Sequence, residues 1–179
     1  MNLKLVKLNS DCKDRLYFEK INSDAFPPSE IMPLDDMFSL SEEADADILG
    51  IYDGDVPIGF SFIVKHTDCA YLYYLAIDKN CRSKGYGGAA LGAILNRYKN
   101  LQLTLDFEEV DETADNFEQR KRRKSFYLQN GFYETGRYTL LNGEQFEVVC
   151  SEKTLNTTGL ERLLKILHRH RPEFADILL

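Results

Sequence analysis

Long apolar runs are the first thing this chain lacks. The longest, near Val56–Val64 and Tyr86–Leu95, fall far short of the ~20 residues that cross a bilayer, so no membrane partner is expected. The N-terminus alternates apolar and polar residues, so a strand and not a secretion signal is expected there. Cysteine is sparse. Cys12, Cys69, Cys81 and Cys150 are scattered with no C-x-x-C pair, which speaks against zinc and redox motifs and for a cytoplasmic protein with reduced thiols. Of the three histidines, His168 and His170 are two apart on a helical stretch and face different ways, while His66 ends a strand. No metal site is expected from them, and no Ser-His-Asp arrangement is legible. Positive charge is also in deficit, with 22 Lys and Arg against 29 Asp and Glu and a net charge of −7. That balance argues against general nucleic-acid binding and favours cationic partners such as amines.

What is present reads as a globular fold. The chain has 179 residues, 44% of them hydrophobic and 12% aromatic, enough for one domain with a sizeable core. Leu3–Leu8 alternates as a strand, and Ser10-Asp11 can cap a helix running to about Ser23. Three prolines make Ala25–Pro33 irregular, and a short helix over Leu34–Leu40 follows. Asp47–Tyr52 and Val56–Lys65 read as a hairpin turning at Asp53-Gly54, and Tyr71–Ile77 as a central strand. Gln102–Phe107 is a further strand. Phe117–Gln129 is a helix with a capping-box-like Asp115…Glu118 and a left-handed end at Asn130-Gly131. Phe132–Leu141 and Glu144–Cys150 flank Asn142-Gly143, the best hairpin turn in the chain. Thr158…Glu161 caps a last helix with an apolar stripe of Leu160, Leu163, Leu164 and Leu167.

The stretch Tyr71–Leu91 carries the chemistry. A strand leads through Asp78-Lys79-Asn80 to Arg82-Ser83-Lys84-Gly85-Tyr86-Gly87-Gly88, and a helical pattern follows. The first turn of a helix has unpaired N–H groups and a positive dipole end, glycines let a phosphate approach, and Arg82 and Lys84 add charge. A phosphorylated ligand is expected there. The P-loop pattern fails because Lys84 precedes Gly85, and the dinucleotide fingerprint fails because Ala90 stands where it needs glycine.

Arg82-x-x-Gly85-x-Gly87 after a strand resembles the acetyl-CoA loop of the Gcn5-related N-acetyltransferase (GNAT) superfamily, and the order of elements over residues 1–150 is similar to that fold. The resemblance implies a mixed α/β architecture: a mostly antiparallel central sheet flanked by helices. It spans residues 1–151, with an added helical extension over 152–179 that packs on the domain or makes a homodimer contact. It implies acetyl-CoA as co-substrate and no metal. The backbone of Leu75, Ala76 and Ile77 and the loop residues Arg82, Ser83, Lys84, Gly85, Tyr86, Gly87 and Gly88 would hold the coenzyme.

Ser125–Phe132 resembles the family's FYxxxGF motif, whose tyrosine, here Tyr127, lies near the coenzyme sulfur and acts as general acid. The basic run Arg120–Lys124 reads by default as solvated surface, with Arg123 as one charge that could meet the coenzyme's 3′-phosphate. Asn116 stands one turn before the position where many relatives carry asparagine. The strand glutamate that serves as base in histone-acetylating relatives is replaced by Tyr71. Glu30, Asp106, Glu108 and Glu109 remain, with Glu108 as the working choice for base or water relay and Glu30 shaping amine recognition. Phe26 and Tyr73 suggest an aromatic acceptor side. The implied activity is acetyl transfer to a primary amine of a small molecule or peptide. The alternatives are a non-catalytic acyl-CoA-binding domain and, least favoured, a nucleic-acid module.

Overall fold

The computed structural model describes residues 2–28, 30–174 and 177–179. In chain order the elements are β1 (Leu3–Lys7), α1 (Arg15–Ala25), α2 (Leu34–Glu43), β2 (Ala46–Asp53), β3 (Val56–His66), β4 (Cys69–Ile77), α3 (Tyr86–Arg97), β5 (Gln102–Glu108), α4 (Phe117–Gln129), β6 (Tyr133–Leu141), β7 (Glu144–Cys150), α5 (Thr157–His170) and β8 (Ile177–Leu178). The strands neighbour one another in the order β1-β2-β3-β4-β5-β7-β6-β8. Pairs β1–β2, β2–β3, β5–β7, β6–β7 and β6–β8 are antiparallel and β4–β5 is parallel, so the sheet is mixed and mostly antiparallel, as expected. The contacts divide the chain into two compact units, Met1–Lys65 with Leu72–Arg97 and His66–Tyr71 with Tyr98–Leu179.

In the first unit, β2 from Ala46 to Tyr52 and β3 from Ile58 to Val64 are buried and mostly apolar. Phe18 of α1 seats its ring edge-on against Tyr52 and Phe60, 6.0 and 6.5 Å away between centroids. Two local expectations shift here. The β2–β3 turn is Gly54-Asp55, since Asp53 pairs with Val56 and Gly54 has a φ of +62°. Helix α1 begins at Arg15 and not after Ser10-Asp11, because residues 9–15 wind as tight turns. Its first flanking residue, Asp14, does not cap through its side chain; that carboxylate accepts the Tyr52 hydroxyl at 2.9 Å. The ladder of β4 with β5 comprises the pairs from Cys69↔Gln102 to Tyr71↔Thr104. From Leu72 to Ile77, β4 is the edge strand of the first unit.

The second unit is built on the β6–β7 hairpin. Asn142 and Gly143 have φ of +51° and +85°, the two left-handed residues of a type I′ turn whose twist suits flanking strands. Helix α5 is capped by Asn156, whose side chain accepts the Gly159 N–H at 2.9 Å. The expected Thr158…Glu161 box is therefore displaced, with Thr158 already inside the first turn. Leu160, Leu163, Leu164 and Leu167 are all buried, each worth about 1.5–3 kcal/mol. Beyond them the chain adds β8, which pairs with Thr139 and Leu140 of β6; two residues are too few to show a strand period.

At Gly159, α5 packs directly on Cys69 of the same unit. A Cβ there would lie 2.1 Å from the Cys69 Sγ, and Cys69 is fully buried. Gly159→Ala should therefore lower stability by about 1–3 kcal/mol, the range for an overpacked core, although alanine has the better helix propensity. A chemical melt giving equal or greater stability would refute that close packing.

Candidate active site

The glycine loop begins where β4 ends. The Asp78 N–H donates to the Ile58 carbonyl at 2.8 Å, and the Asp78 side chain accepts from the Asn80 N–H at 2.8 Å, closing a 3-10 turn over Lys79–Cys81. Ser83 and Gly85 then adopt φ of +61° and +82°, which turns the chain into α3. Among the described residues, the N–H groups from Ser83 to Gly88 have no backbone acceptor; the helix ladder begins with Ala89 donating to Gly85. Six successive donors at a helix start, with left-handed residues between them, form a concave anion nest. Arg82, Ser83, Lys84 and Gly85 are exposed, and Gly87 and Gly88 half-buried. Arg82 keeps its Nε on the Ile77 carbonyl at 3.1 Å, and the Lys84 Nζ donates to the Asn80 carbonyl at 2.9 Å. Tyr86 offers only its N–H. Its ring packs with Ile51, Ile58 and Ala90, and its hydroxyl donates to Asp53 at 2.5 Å.

Leu75, Ala76 and Ile77 form the last part of β4, with Ala76 buried and its neighbours half-buried. On an edge strand such residues present backbone donors and acceptors at fixed spacing. Next to them stands a row of rings. Phe26 lies 4.5 Å from Tyr74, Tyr74 4.7 Å from Tyr73, and Tyr73 6.3 Å from Phe62, between centroids. Tyr74 is a pin: its hydroxyl donates to the Glu30 carbonyl and accepts the Met32 N–H at 2.9 Å, holding the proline-rich segment on β4. Phe26, Glu30 and Tyr73 are half-buried.

In the second unit the FYxxxGF stretch is a helix end. Tyr127, Gly131 and Phe132 occupy the third-last helical position and the two positions after the cap. Gly131 has a φ of +91°, its N–H reaches the Leu128 carbonyl, and the Phe132 N–H reaches the Tyr127 carbonyl at 3.2 Å. This is a Schellman end, and its hydrophobic contact is the Tyr127–Phe132 ring pair at 5.9 Å. Phe107 stacks on the other side of Tyr127, 5.5 Å away and nearly parallel. The Tyr127 hydroxyl has no hydrogen-bond partner among the described residues. Burial pushes its phenol up to about 12; Arg123 opposes and the Asp106 charge reinforces the rise.

The carboxylates around Tyr127 differ from expectation. Glu108 accepts from Asn116 at 3.0 Å and from Arg123 on its other oxygen, and lies 3.3 Å from Arg120. It is 12% exposed. A carboxylate so occupied is committed to α4 and its first flanking residue, so Glu108 anchors that helix. Asn116 is likewise engaged: its Oδ1 accepts from Arg120 at 2.7 Å, and it flanks α4 in place of the expected Asp115…Glu118 box. Asp106, two residues earlier on β5, accepts the Thr139 hydroxyl. The basic run is not uniformly solvated. Positions 120, 123, 124 and 127 share a helix face, so Arg120 and Arg123 reach Glu108 and Lys124 reaches Glu134 and Glu147 at 2.6 and 2.9 Å. Lys121 and Arg122 are exposed. Tyr71, at the position of the missing strand glutamate, is 2% exposed.

Among the described residues no group of three or more His, Cys, Asp or Glu is gathered as a metal site, and no helix is long and apolar enough to cross a membrane. A family model described as the acetyltransferase (GNAT) family matches residues 15–132, which include the loop, Tyr127 and its Schellman end. No curated protein matches the chain. Among solved structures, a Bacteroides thetaiotaomicron protein described as a GNAT-family acetyltransferase is similar with a TM-score of 0.74 at 22% identity, covering 92% of this chain and 96% of that one. A spermidine N-acetyltransferase chimera from Vibrio cholerae gives 0.64 at 16% identity, covering 90% and 100%. A GNAT-family acetyltransferase from Elizabethkingia anophelis with acetyl-CoA bound gives 0.56 at 10% identity, covering 84% and 98%. With the family model covering most of the chain and the loop and helix end built as described, this chain belongs to the GNAT acetyltransferase family.

Proposed function

We propose that the protein transfers an acetyl group from acetyl-CoA to a primary amine of a small molecule or peptide, by direct attack. The observation that carries this reading is the nest at the start of α3, where among the described residues the N–H groups from Ser83 to Gly88 have no backbone acceptor, flanked by Arg82 and Lys84. A diphosphate is the ligand whose charge and size suit such a nest. The backbone of Leu75–Ile77 hydrogen-bonds the pantetheine arm and polarises the thioester carbonyl.

In the transfer, the neutral amine nitrogen attacks the thioester carbon. A C–N bond forms, the C–S bond breaks, the amine proton leaves to a base, and the departing thiolate takes a proton. Tyr127 supplies that proton, since its phenol stays protonated through the neutral range. For the base we assign Asp106 in place of Glu108, because Glu108 is committed to Arg120, Arg123 and Asn116 while Asp106, two residues away on the same face of β5, holds the Thr139 hydroxyl and, among the described residues, no cation. Phe26, Tyr73 and Glu30 border the acceptor. An amine acceptor accords with the spermidine named for one structural neighbour.

The test is thermal unfolding with and without acetyl-CoA. Ligand at a hundred times its Kd adds about 2.7 kcal/mol, which raises Tm by about 5–10 °C for a chain of this size. Arg82→Ala/Gly85→Asp should abolish the rise. Thiol release on addition of amines then separates an enzyme from a non-catalytic acyl-CoA-binding domain. Absence of any rise in the wild type would overturn the coenzyme reading.

A further inference from the structure

We infer that Tyr17 of α1 is a positioning residue for the glycine loop: by holding Asp78 it sets the conformation in which the loop binds a diphosphate. The inference rests on the acetyl-CoA reading above, and it concerns a residue far from the loop in sequence. The Tyr17 hydroxyl donates to the Asp78 Oδ2. The other oxygen, Oδ1, accepts from both the N–H and the side-chain amide of Asn80, at 2.8 and 3.0 Å. Asp78 is thus the keystone of the turn that launches Arg82 and the nest, and its carboxylate has one oxygen for the turn and one for α1.

The rest of α1 supports the same contact. Asp24 sits two turns beyond Tyr17 on the same helix face. It lies 3.3 Å from the Lys79 Nζ and is held by Lys20 at 2.6 Å. Lys79 is the first residue of the turn. These outer ion pairs are exposed and worth little alone; the Tyr17–Asp78 bond is half-buried, and a hydrogen bond to a charged acceptor is stronger than one between neutral groups. A diphosphate nest binds only if its donors point inward before the ligand arrives, since ordering them on binding subtracts from affinity. Releasing Asp78 from α1 frees the turn to choose other conformations.

The experiment compares Tyr17→Phe with Tyr52→Phe. Both remove one tyrosine-to-aspartate hydrogen bond in the same unit, but Tyr52 bonds Asp14, away from the loop. The probes are acetyl-CoA and adenosine 3′,5′-bisphosphate with its 5′-diphosphate analogue, titrated by calorimetry, alongside steady-state kinetics. Tyr17→Phe should weaken acetyl-CoA about tenfold in Kd and KM, leaving kcat at saturating acetyl-CoA and the acceptor KM within twofold. Its effect should be larger for the diphosphate probe than for the bisphosphate lacking that group. Tyr52→Phe should lower Tm comparably and leave the Kd for acetyl-CoA unchanged. Equal affinities in Tyr17→Phe and wild type overturn the inference, as does an equal affinity loss in Tyr52→Phe. A wild type that binds no acetyl-CoA sinks the coenzyme reading instead, so the two failures are told apart.

Discussion

Tyr127→Phe is expected to cut turnover about a hundredfold while the Kd for acetyl-CoA stays within twofold. Proton transfer by a positioned side chain contributes roughly 10²–10⁴-fold, and phenylalanine deletes only the oxygen. Everything that shapes the site around the ring is retained: the Schellman end at Gly131 is made by backbone groups, and the stack on Phe107 and the edge contact with Phe132 need only the ring. A drop in both turnover and affinity would point to a packing role for the residue, and unchanged turnover would remove it from the chemistry.

The pH profile gives the same assignment a second check. A phenol pushed up to about 12 by burial remains protonated well past the ordinary value of about 10, so wild-type turnover should hold through pH 10 without an alkaline decline from this group. Its linkage to stability has a definite sign. The folded value lies above the unfolded one, so the contribution is fully present below pH ~10 and is lost as pH rises from there to about 12. Tyr127→Phe should remove that part of the alkaline destabilisation.

Gly59→Ala is the substitution expected to damage the fold most. A Cβ at Gly59 would lie 2.3 Å from the Ala76 carbonyl oxygen and 3.2 Å from the Ile77 Cα. Both are backbone atoms, so no side-chain rotation relieves the collision, and the end of β4 must move. Side-chain overpacking costs about 1–3 kcal/mol; a backbone collision should sit at or above the top of that range, with a fall in Tm of roughly 6–12 °C or more. Because the displaced segment is Leu75–Ile77, the variant should also lose most of its acetyl-CoA-induced stabilisation. A variant that melts like the wild type and still responds to acetyl-CoA would show that β4 is not held there as described.

Much of this was legible in the chain because it is local. The Asn142-Gly143 turn and the Gly131 helix end depend on residues that tolerate positive φ, and those residues sit at the positions their neighbours require. The loop was legible for the same reason, since strand, glycines and helix start are consecutive. The motif around Tyr127 has a local cause as well: its spacing is that of a Schellman end, which seats Phe132 against the tyrosine ring.

Other features depended on partners far along the chain. Ser10-Asp11, Asp115 and Thr158 all have good capping chemistry, yet the flanking positions fall to Asp14, Asn116 and Asn156, because helix starts are decided by what packs against the first turn. Charge patterning suggested a solvated basic run, but helical period and the carboxylates on β5, β6 and β7 turn Arg120, Arg123 and Lys124 onto the sheet. Alternation placed Asp106 and Glu108 on one face of a strand. Only the arrival of α4 distinguishes them, by pairing Glu108 with two guanidinium groups.

By itself the sequence determined the family, the order of elements from β1 to α5, the glycine loop and the helix end around Tyr127, since each is written in neighbours within a turn or a strand. Tertiary structure alone decided that Glu108 pairs with Arg120 and Arg123 while Asp106 takes the Thr139 hydroxyl, and that Tyr17 meets Asp78 across 61 positions. Hydrogen bonds and ion pairs act over about 3 Å, and only the folded chain brings such residues within that reach.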